Sequence, residues 1–382
     1  KKLFFYIWLL LLLVWALSRV IPFVFETGRY IYDYNDLTIY FLRADWITTD
    51  GVPLSEYPQI PTYLFGLNGV LASFFNPGID FVVFTSLFTL EMTVALFFSM
   101  KILYRLLPQE QKALALLMLL PPTLYYALNR FDILPALLCL LALLFAQKKQ
   151  WVNASIALAV GTLTKWYPVL LFPGFFMYAV SQEGKFQWKM IISFALTGFL
   201  LVLPTYLLGG IDALLYPYQL HTGRGMEFVA LPVLINNLIN QFGSLPISLE
   251  SYFLVFFILQ VFSPFLVFVF KMNTLERLIK YCIISIALFM LFSRISSPQW
   301  FLWLVPFLIV SARNTFDIIL IAILNLFSYL FFPVVFDIFG PSSVELQVAG
   351  IACYLLLLVI ITRAFKGLPL RDKPLFEKAI FD

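Results

Sequence analysis

Phe81-Val82-Val83-Phe84-Thr85-Ser86-Leu87-Phe88-Thr89-Leu90-Glu91-Met92-Thr93-Val94-Ala95-Leu96-Phe97-Phe98-Ser99-Met100-Lys101-Ile102-Leu103 carries one acid, Glu91, and one cation, Lys101, near its end. As an α-helix it would reach about 34 Å, enough to cross the hydrocarbon core of a bilayer. Similar apolar runs recur in both directions, at roughly 113–128, 131–147, 150–165, 167–181, 189–208, 251–270, 279–293, 297–311, 315–335 and 346–364. With the run that follows Lys1-Lys2, about twelve spans are expected. Shorter stretches at 61–76 and 229–245, broken by Gly66, Gly69 and Pro232, read as re-entrant or interfacial helices. Strand-length alternation is absent, which excludes an outer-membrane barrel.

Composition agrees. Hydrophobic residues are 62% of the 382 and charged residues 12%, whereas soluble domains average about 45–50% and about 25%. Mean hydropathy is +0.93. So few charges exclude a soluble globular enzyme, a disordered chain and a nucleic-acid-binding domain. Aromatics reach 18%, with 43 Phe, which suits lipid-facing and interfacial surface. The expected fold is an all-α polytopic transmembrane bundle forming one domain over 1–382. Residues 1–364 form the bundle and 365–382 a cytoplasmic tail. Lys1-Lys2 before Leu3–Leu17 resembles a secretory signal, but hydrophobicity resumes past Arg19 with no small-residue cleavage site, so a retained first helix is expected. Cys139, Cys282 and Cys353 each lie within an apolar run and lack metal-ligand or disulfide spacing.

Placing the N-terminus in the cytoplasm puts seven cations outside: Arg19, Arg29, Arg43, Arg130, Lys165, Arg224 and Arg294. The other 18 of the 25 lie at inner ends, as the positive-inside rule requires. The sequon Asn153-Ala154-Ser155 then falls at the cytoplasmic edge and is discounted. The outer seven sit among Glu26, Asp33, Asp36, Asp45, Asp50, Glu56, Asp132, Asp212, Glu227 and the single histidine, His221. Ionisable groups gathered near one membrane face mark a site, and the long 23–60 loop is a natural place for it.

That loop reads Tyr34-Asn35-Asp36-Leu37-Thr38-Ile39-Tyr40, then Asp45, then Asp50-Gly51-Val52-Pro53-Leu54-Ser55-Glu56-Tyr57-Pro58-Gln59. Further on come Asn129-Arg130-Phe131-Asp132, Thr164-Lys165-Trp166-Tyr167-Pro168, His221-Thr222-Gly223-Arg224-Gly225-Met226-Glu227 and Ser296-Ser297-Pro298-Gln299-Trp300. In this order the five stretches resemble the GT-C membrane glycosyltransferases, and among them glycosyltransferase family 87, the polyprenyl-phosphate-mannose-dependent mannosyltransferases. The resemblance covers roughly residues 1–310. The chain departs from the family at Gln59, where a second Pro is common, and at Val229-Ala230, where the family carries Glu-Ser.

The resemblance implies an inverting transfer of a hexose, mannose in that family, from a polyprenyl-phosphate donor to a lipid or glycan acceptor on the non-cytoplasmic face. Asp36 would be the catalytic base. The chemistry needs such a group, because an acceptor hydroxyl is a poor nucleophile until a carboxylate takes its proton. Asp45 and Asp33 are the next choices. Growing charge on the leaving phosphate calls for cations: Lys165 as a point charge, and Arg130, Arg224 or Arg294 as forks, with His221 beside them. Asp45, Glu56, Tyr57, Asp132, Glu227 and Gln299 are candidates for holding sugar or acceptor. Plainer roles compete. Asp36 could cap a helix, Lys165 could snorkel, Arg130 could pair with Asp132, and His221 could be a polar surface residue. Glu91 has no assigned role. No cofactor is called for, and a divalent ion is compatible with the reading. The expected partners are the donor, the acceptor and membrane lipids, with no nucleic acid. The membrane would be the plasma membrane of a prokaryote or the endoplasmic reticulum of a eukaryote. The rival reading is a lipid or sugar transporter or flippase without chemistry, in which charges would thread the bilayer.

Overall fold

A computed structural model describes residues 2–24, 33–75, 78–223, 225–227, 229–242, 249–341 and 343–370. The described residues form helices and connecting segments without a strand, as expected. The α-helices are α1 (Lys2–Val24), α2 (Tyr34–Asp50), α3 (Gln59–Ser73), α4 (Phe81–Leu106), α5 (Pro121–Asn129), α6 (Ile133–Gln147), α7 (Trp151–Thr164) and α8 (Phe172–Glu183). They continue with α9 (Trp188–Gly223), α10 (Leu231–Phe242), α11 (Leu249–Phe262), α12 (Leu275–Leu291), α13 (Phe301–Ser311), α14 (Thr315–Tyr329), α15 (Phe336–Phe339) and α16 (Val344–Phe365).

Among the described residues, 5 helices are long and apolar enough to cross a membrane, or 6 if α5 and α6, bent by 105° at their junction, count as one broken span. The five begin at Lys2, Phe81, Trp188, Thr315 and Val344. The other expected spans fall on helices too, but in shorter pieces. The 113–128 run is a 3-10 helix, Gln109–Leu119, followed by α5. Pro121 and Pro122 start α5 because a proline nitrogen has no N–H to leave unpaired in a first turn. The 167–181 run likewise divides at Leu171 and Phe172. The two stretches expected as interfacial helices are α3 and α10. Along α9, Leu196, Phe199, Leu200, Leu207 and Leu208 are exposed. Apolar surface this extensive fits lipid contact.

The chain forms two compact units. The first comprises Lys1–Leu144, Ile156–Pro168 and Ile192–Arg224. In it, α1 is pinned to α4 by Trp15 Nε1, which donates to Thr89 Oγ1 at 3.1 Å. The 34–50 stretch, expected as loop, is the helix α2. Asp33 caps it by accepting from the Asp36 N–H, and Gly51 ends it at φ 72°, in the left-handed region a side chain disfavours. α3 lies close against α2 because Gly66 has no side chain; a Cβ there would stand 2.9 Å from Ile47 Cγ2. Asn68 and Glu91 meet inside this unit at 2.9 Å, so the acid in the opening stretch has a partner on α3.

The second unit comprises Phe145–Ser155, Val169–Ile191 and Gly225–Asp382. α12 is its centre, beside α8, α13 and α16. Tyr281 of α12 donates to Leu170 O at 3.0 Å and Pro264 O at 2.9 Å. Gly174 leaves room for that ring, since a Cβ would lie 2.3 Å from it.

Candidate functional site

The start of α2 and the break between α5 and α6 bring three charged groups, Asp33, Asp36 and Arg130, together in the first unit. Asp33, the α2 cap, receives Arg130 Nε at 2.9 Å and Nη2 at 2.5 Å on the same oxygen. Its own N–H donates to Asn129 Oδ1 at 3.2 Å. Arg130 Nη1 pairs with Asp36. Tyr40, one turn further along α2, donates its hydroxyl to Asp36 Oδ2 at 3.2 Å. Asp36 is therefore held by a guanidinium and a phenol while its side chain stays 19% exposed; that of Asp33 is 2% exposed. The helix cap is Asp33, and Asp36 stands at the third helical position. This corrects the competing reading of Asp36 as the cap itself.

The second pair lies beside the first. Lys165, just past the end of α7, reaches both oxygens of Asp132, at 3.1 and 3.2 Å. Its ammonium stands 4.6 Å from the Phe131 ring centre. The Asp132 side chain is fully buried and that of Lys165 is 18% exposed. Lys165 is near enough that its charge acts on Asp36. Tyr40, Tyr57, Phe65 and Phe131 close the floor with ring centres 4.8–6.1 Å apart.

Burial pushes the Asp36 carboxyl above its ordinary value, and the neighbouring Asp33 adds to this; Arg130, Lys165 and the Tyr40 hydroxyl pull the other way but do not cancel it. Burial also holds Tyr40 and Tyr57 well above the usual phenol value, with the charge of Asp36 as the second cause. Both phenols stay protonated, so Tyr40 remains a donor.

A further group in the same unit joins the 51–58 segment to α9. Glu56 accepts Arg43 Nε at 2.6 Å, and its carbonyl oxygen lies 3.1 Å from His221 Nε2. Trp166 stacks on Tyr218 at 5.1 Å and meets the His221 ring edge-on at 5.0 Å. The Arg43 guanidinium lies 4.4 Å from the Trp46 ring centre. Asp45 does not join either group. It is exposed, two and a half turns beyond Asp36 and so on the opposite side of α2.

Glu227, Arg294 and Gln299 belong to the second unit. There the Glu227 N–H donates to Arg294 O at 3.1 Å, and Glu227 Oε2 accepts the Ser296 N–H at 3.0 Å. Gln299 is 6% exposed and its Oε1 has no hydrogen-bond partner. Arg224 lies outside the described residues, as do Glu26 and Arg29. Sequence reasoning gave no individual role to Tyr40, Asn129 or Tyr218, counted Arg43 only among the outer cations and read Trp166 as part of an interfacial belt. Tyr40 was legible as the residue one helical turn beyond Asp36, and Tyr218 carried no local signal.

No protein-family model matches the chain, and no curated protein matches it significantly.

Proposed function

We propose that the protein is a GT-C-like membrane glycosyltransferase with about twelve membrane passes. It would move a hexose, mannose by the motif resemblance, from a polyprenyl-phosphate donor to an acceptor hydroxyl on the non-cytoplasmic face, with inversion. The single observation behind this is that a partly open carboxylate, Asp36, and a partly open ammonium, Lys165, share one small cluster. Each is held from behind by buried partners, Asp33 with Arg130 and Asp132 with Phe131.

In the reaction the acceptor oxygen attacks the anomeric carbon and its proton passes to Asp36. The bond from that carbon to the phosphate oxygen breaks, and the electron pair leaves with the polyprenyl phosphate. Lys165 stabilises the phosphate as its charge grows, which favours the transition state over the bound substrate. Arg130, turned toward two carboxylates, positions Asp36. Tyr40 does the same through its hydroxyl. The exposed apolar faces of the helices would receive the prenyl chain.

Membranes carrying the chain, supplied with radiolabelled polyprenyl-phosphate hexoses one at a time, should move label into a lipid or glycan product from one donor. Movement of the lipid-linked sugar across the membrane without transfer would replace the enzyme with the transporter.

Two further results are expected. The acidic limb of the pH dependence of kcat/KM should lie above the ordinary carboxylate range. Transfer needs Asp36 ionised, so activity falls as pH drops through its raised value; a limb at or below the usual value would take the base role from Asp36. Lys165→Met should lower kcat and kcat/KM together, because the lost charge acts mainly in the transition state. A rise in KM for the acceptor with kcat preserved would remove Lys165 from the phosphate.

A further inference from the structure

One end of the second unit is strongly basic. It is the end at which α12 and α14 begin and α13 and α16 finish. Residues 270–280, 311–317 and 360–370 carry the cations Lys271, Arg277, Lys280, Arg313, Arg363 and Lys366 against the carboxylates Glu276 and Asp317. The surplus equals the net charge of the entire chain, +4. Under the positive-inside rule this end faces the cytoplasm.

A cavity of about 150 Å³ opens there, with Lys280, Arg313, Arg363 and Asn314 on its walls and Leu308 and Ile321 among its apolar lining. A single water needs roughly 10–15 Å³, so the space admits a much larger group. The two carboxylates are already engaged. Asp317 Oδ2 accepts the backbone N–H of Arg313 at 2.8 Å and of Asn314 at 3.3 Å, and its other oxygen pairs with Arg363. Glu276 holds Lys280 at 2.8 Å. The Arg313 guanidinium has no carboxylate at ion-pair distance among the described residues, and it is exposed. The Arg363 guanidinium is steadied 4.6 Å from the Phe316 ring centre. The local field is positive enough that Glu276 is held below its ordinary value, first by the hydrogen bond to Lys280 and also by the charges of Lys280, Arg313 and Arg277.

We propose that this pocket binds a phosphate group, presented by an anionic lipid of the cytoplasmic leaflet or free in solution. Arg313 supplies a fork for phosphate oxygens, and Lys280 and Arg363 supply flanking charge. Basic pockets between helix ends on the cytoplasmic side are suited to lipid headgroups. The framing helices continue in exposed apolar residues, Ile319 on α14 and Leu355 and Val359 on α16, which would lie along acyl chains.

The full chain, purified in zwitterionic detergent, would be titrated with phosphatidylglycerol or phosphatidylcholine and read by native mass spectrometry. In parallel, inorganic phosphate would be titrated and thermal unfolding followed. Arg313→Gln and Lys280→Gln each alter the pocket. Lys366→Gln removes the same charge from the same end without touching the lining. A lipid ligand gives a retained phosphatidylglycerol adduct, absent with phosphatidylcholine. Each pocket variant should weaken it about fivefold, the worth of one cation near a membrane surface, and Lys366→Gln should leave it unchanged. A soluble ligand gives stabilisation by inorganic phosphate that Arg313→Gln abolishes, with the two lipids binding alike. The proposal falls if neither probe separates the wild type from the pocket variants. It also falls if Lys366→Gln weakens binding as much as Arg313→Gln, since a diffuse basic surface would then suffice.

Discussion

Asp36→Asn should fold, insert and bind the lipid-linked donor, yet transfer sugar about 10²–10⁴ times more slowly, the usual cost of losing a general base. The structure makes this substitution clean. Helix α2 is capped by Asp33, so its start does not depend on the charge at position 36. An asparagine there keeps an oxygen for the Tyr40 hydroxyl and for Arg130, and loses mainly the ability to take a proton. Asp33→Asn is the informative companion: asparagine caps about as well as aspartate, and Asp33 is buried, so its replacement should slow transfer far less. The measurements are initial transfer rate and donor binding on the same preparation. Wild-type turnover by Asp36→Asn would end the assignment, and an equal loss from Asp33→Asn would divide the role between the two.

The long spans were legible because burial in lipid writes itself as uninterrupted apolar sequence. The run at 81–103 became Phe81–Leu106, and that at 346–364 became Val344–Phe365. Helix α2 was not, because Asn35, Asp36, Arg43, Asp45 and Asp50 break its apolar pattern. Its end signals were nonetheless present: an aspartate cap three residues before Asp36, and a glycine at position 51. Asp33, Asp36, Arg130, Asp132 and Lys165 were each singled out from sequence, and the structure brings all five into one cluster. What sequence could not give was the pairing. Arg130 has Asp132 two residues away, and a local ion pair was the simplest competing reading. The fold instead ties Arg130 to Asp33, 97 positions earlier, and Asp132 to Lys165, 33 positions later. Pairing across such separations depends on where helices cross, which no local pattern encodes. Among the described residues only 5 or 6 of the expected spans stand as single long helices, for a related reason. Apolar runs such as 167–181 contain prolines that divide one sequence segment into two helical pieces.

Arg130→Met should be the most destabilising single change in the site. Methionine approximates the length of the arginine stem but removes the charge shared by Asp33 and Asp36. Removing one partner of a buried pair typically costs about 3–5 kcal/mol, because the remaining charge stays buried without compensation. The site fits that case: the Arg130 side chain is 9% exposed and that of Asp33 2%. The loss should depend on pH with a definite sign. Without the guanidinium, burial and the neighbouring Asp33 raise the Asp36 carboxyl further above its unfolded value. A group raised on folding adds stability below its unfolded value and loses it as pH climbs through the raised one. Arg130→Met should therefore unfold more readily at neutral pH than in mild acid, and the difference should exceed that of the wild type. Adding Asp33→Asn to Arg130→Met removes one orphaned charge while keeping the helix cap. The double variant should then be more stable than Arg130→Met alone, a coupling that independent sites would not show. Thermal unfolding of the four chains in detergent, at two pH values, measures every term. If Arg130→Met melts with the wild type, or if Asp33→Asn adds to its loss rather than relieving it, Arg130 does not hold the two carboxylates together, and the positioning of Asp36 must come from Tyr40 and the first turn of α2.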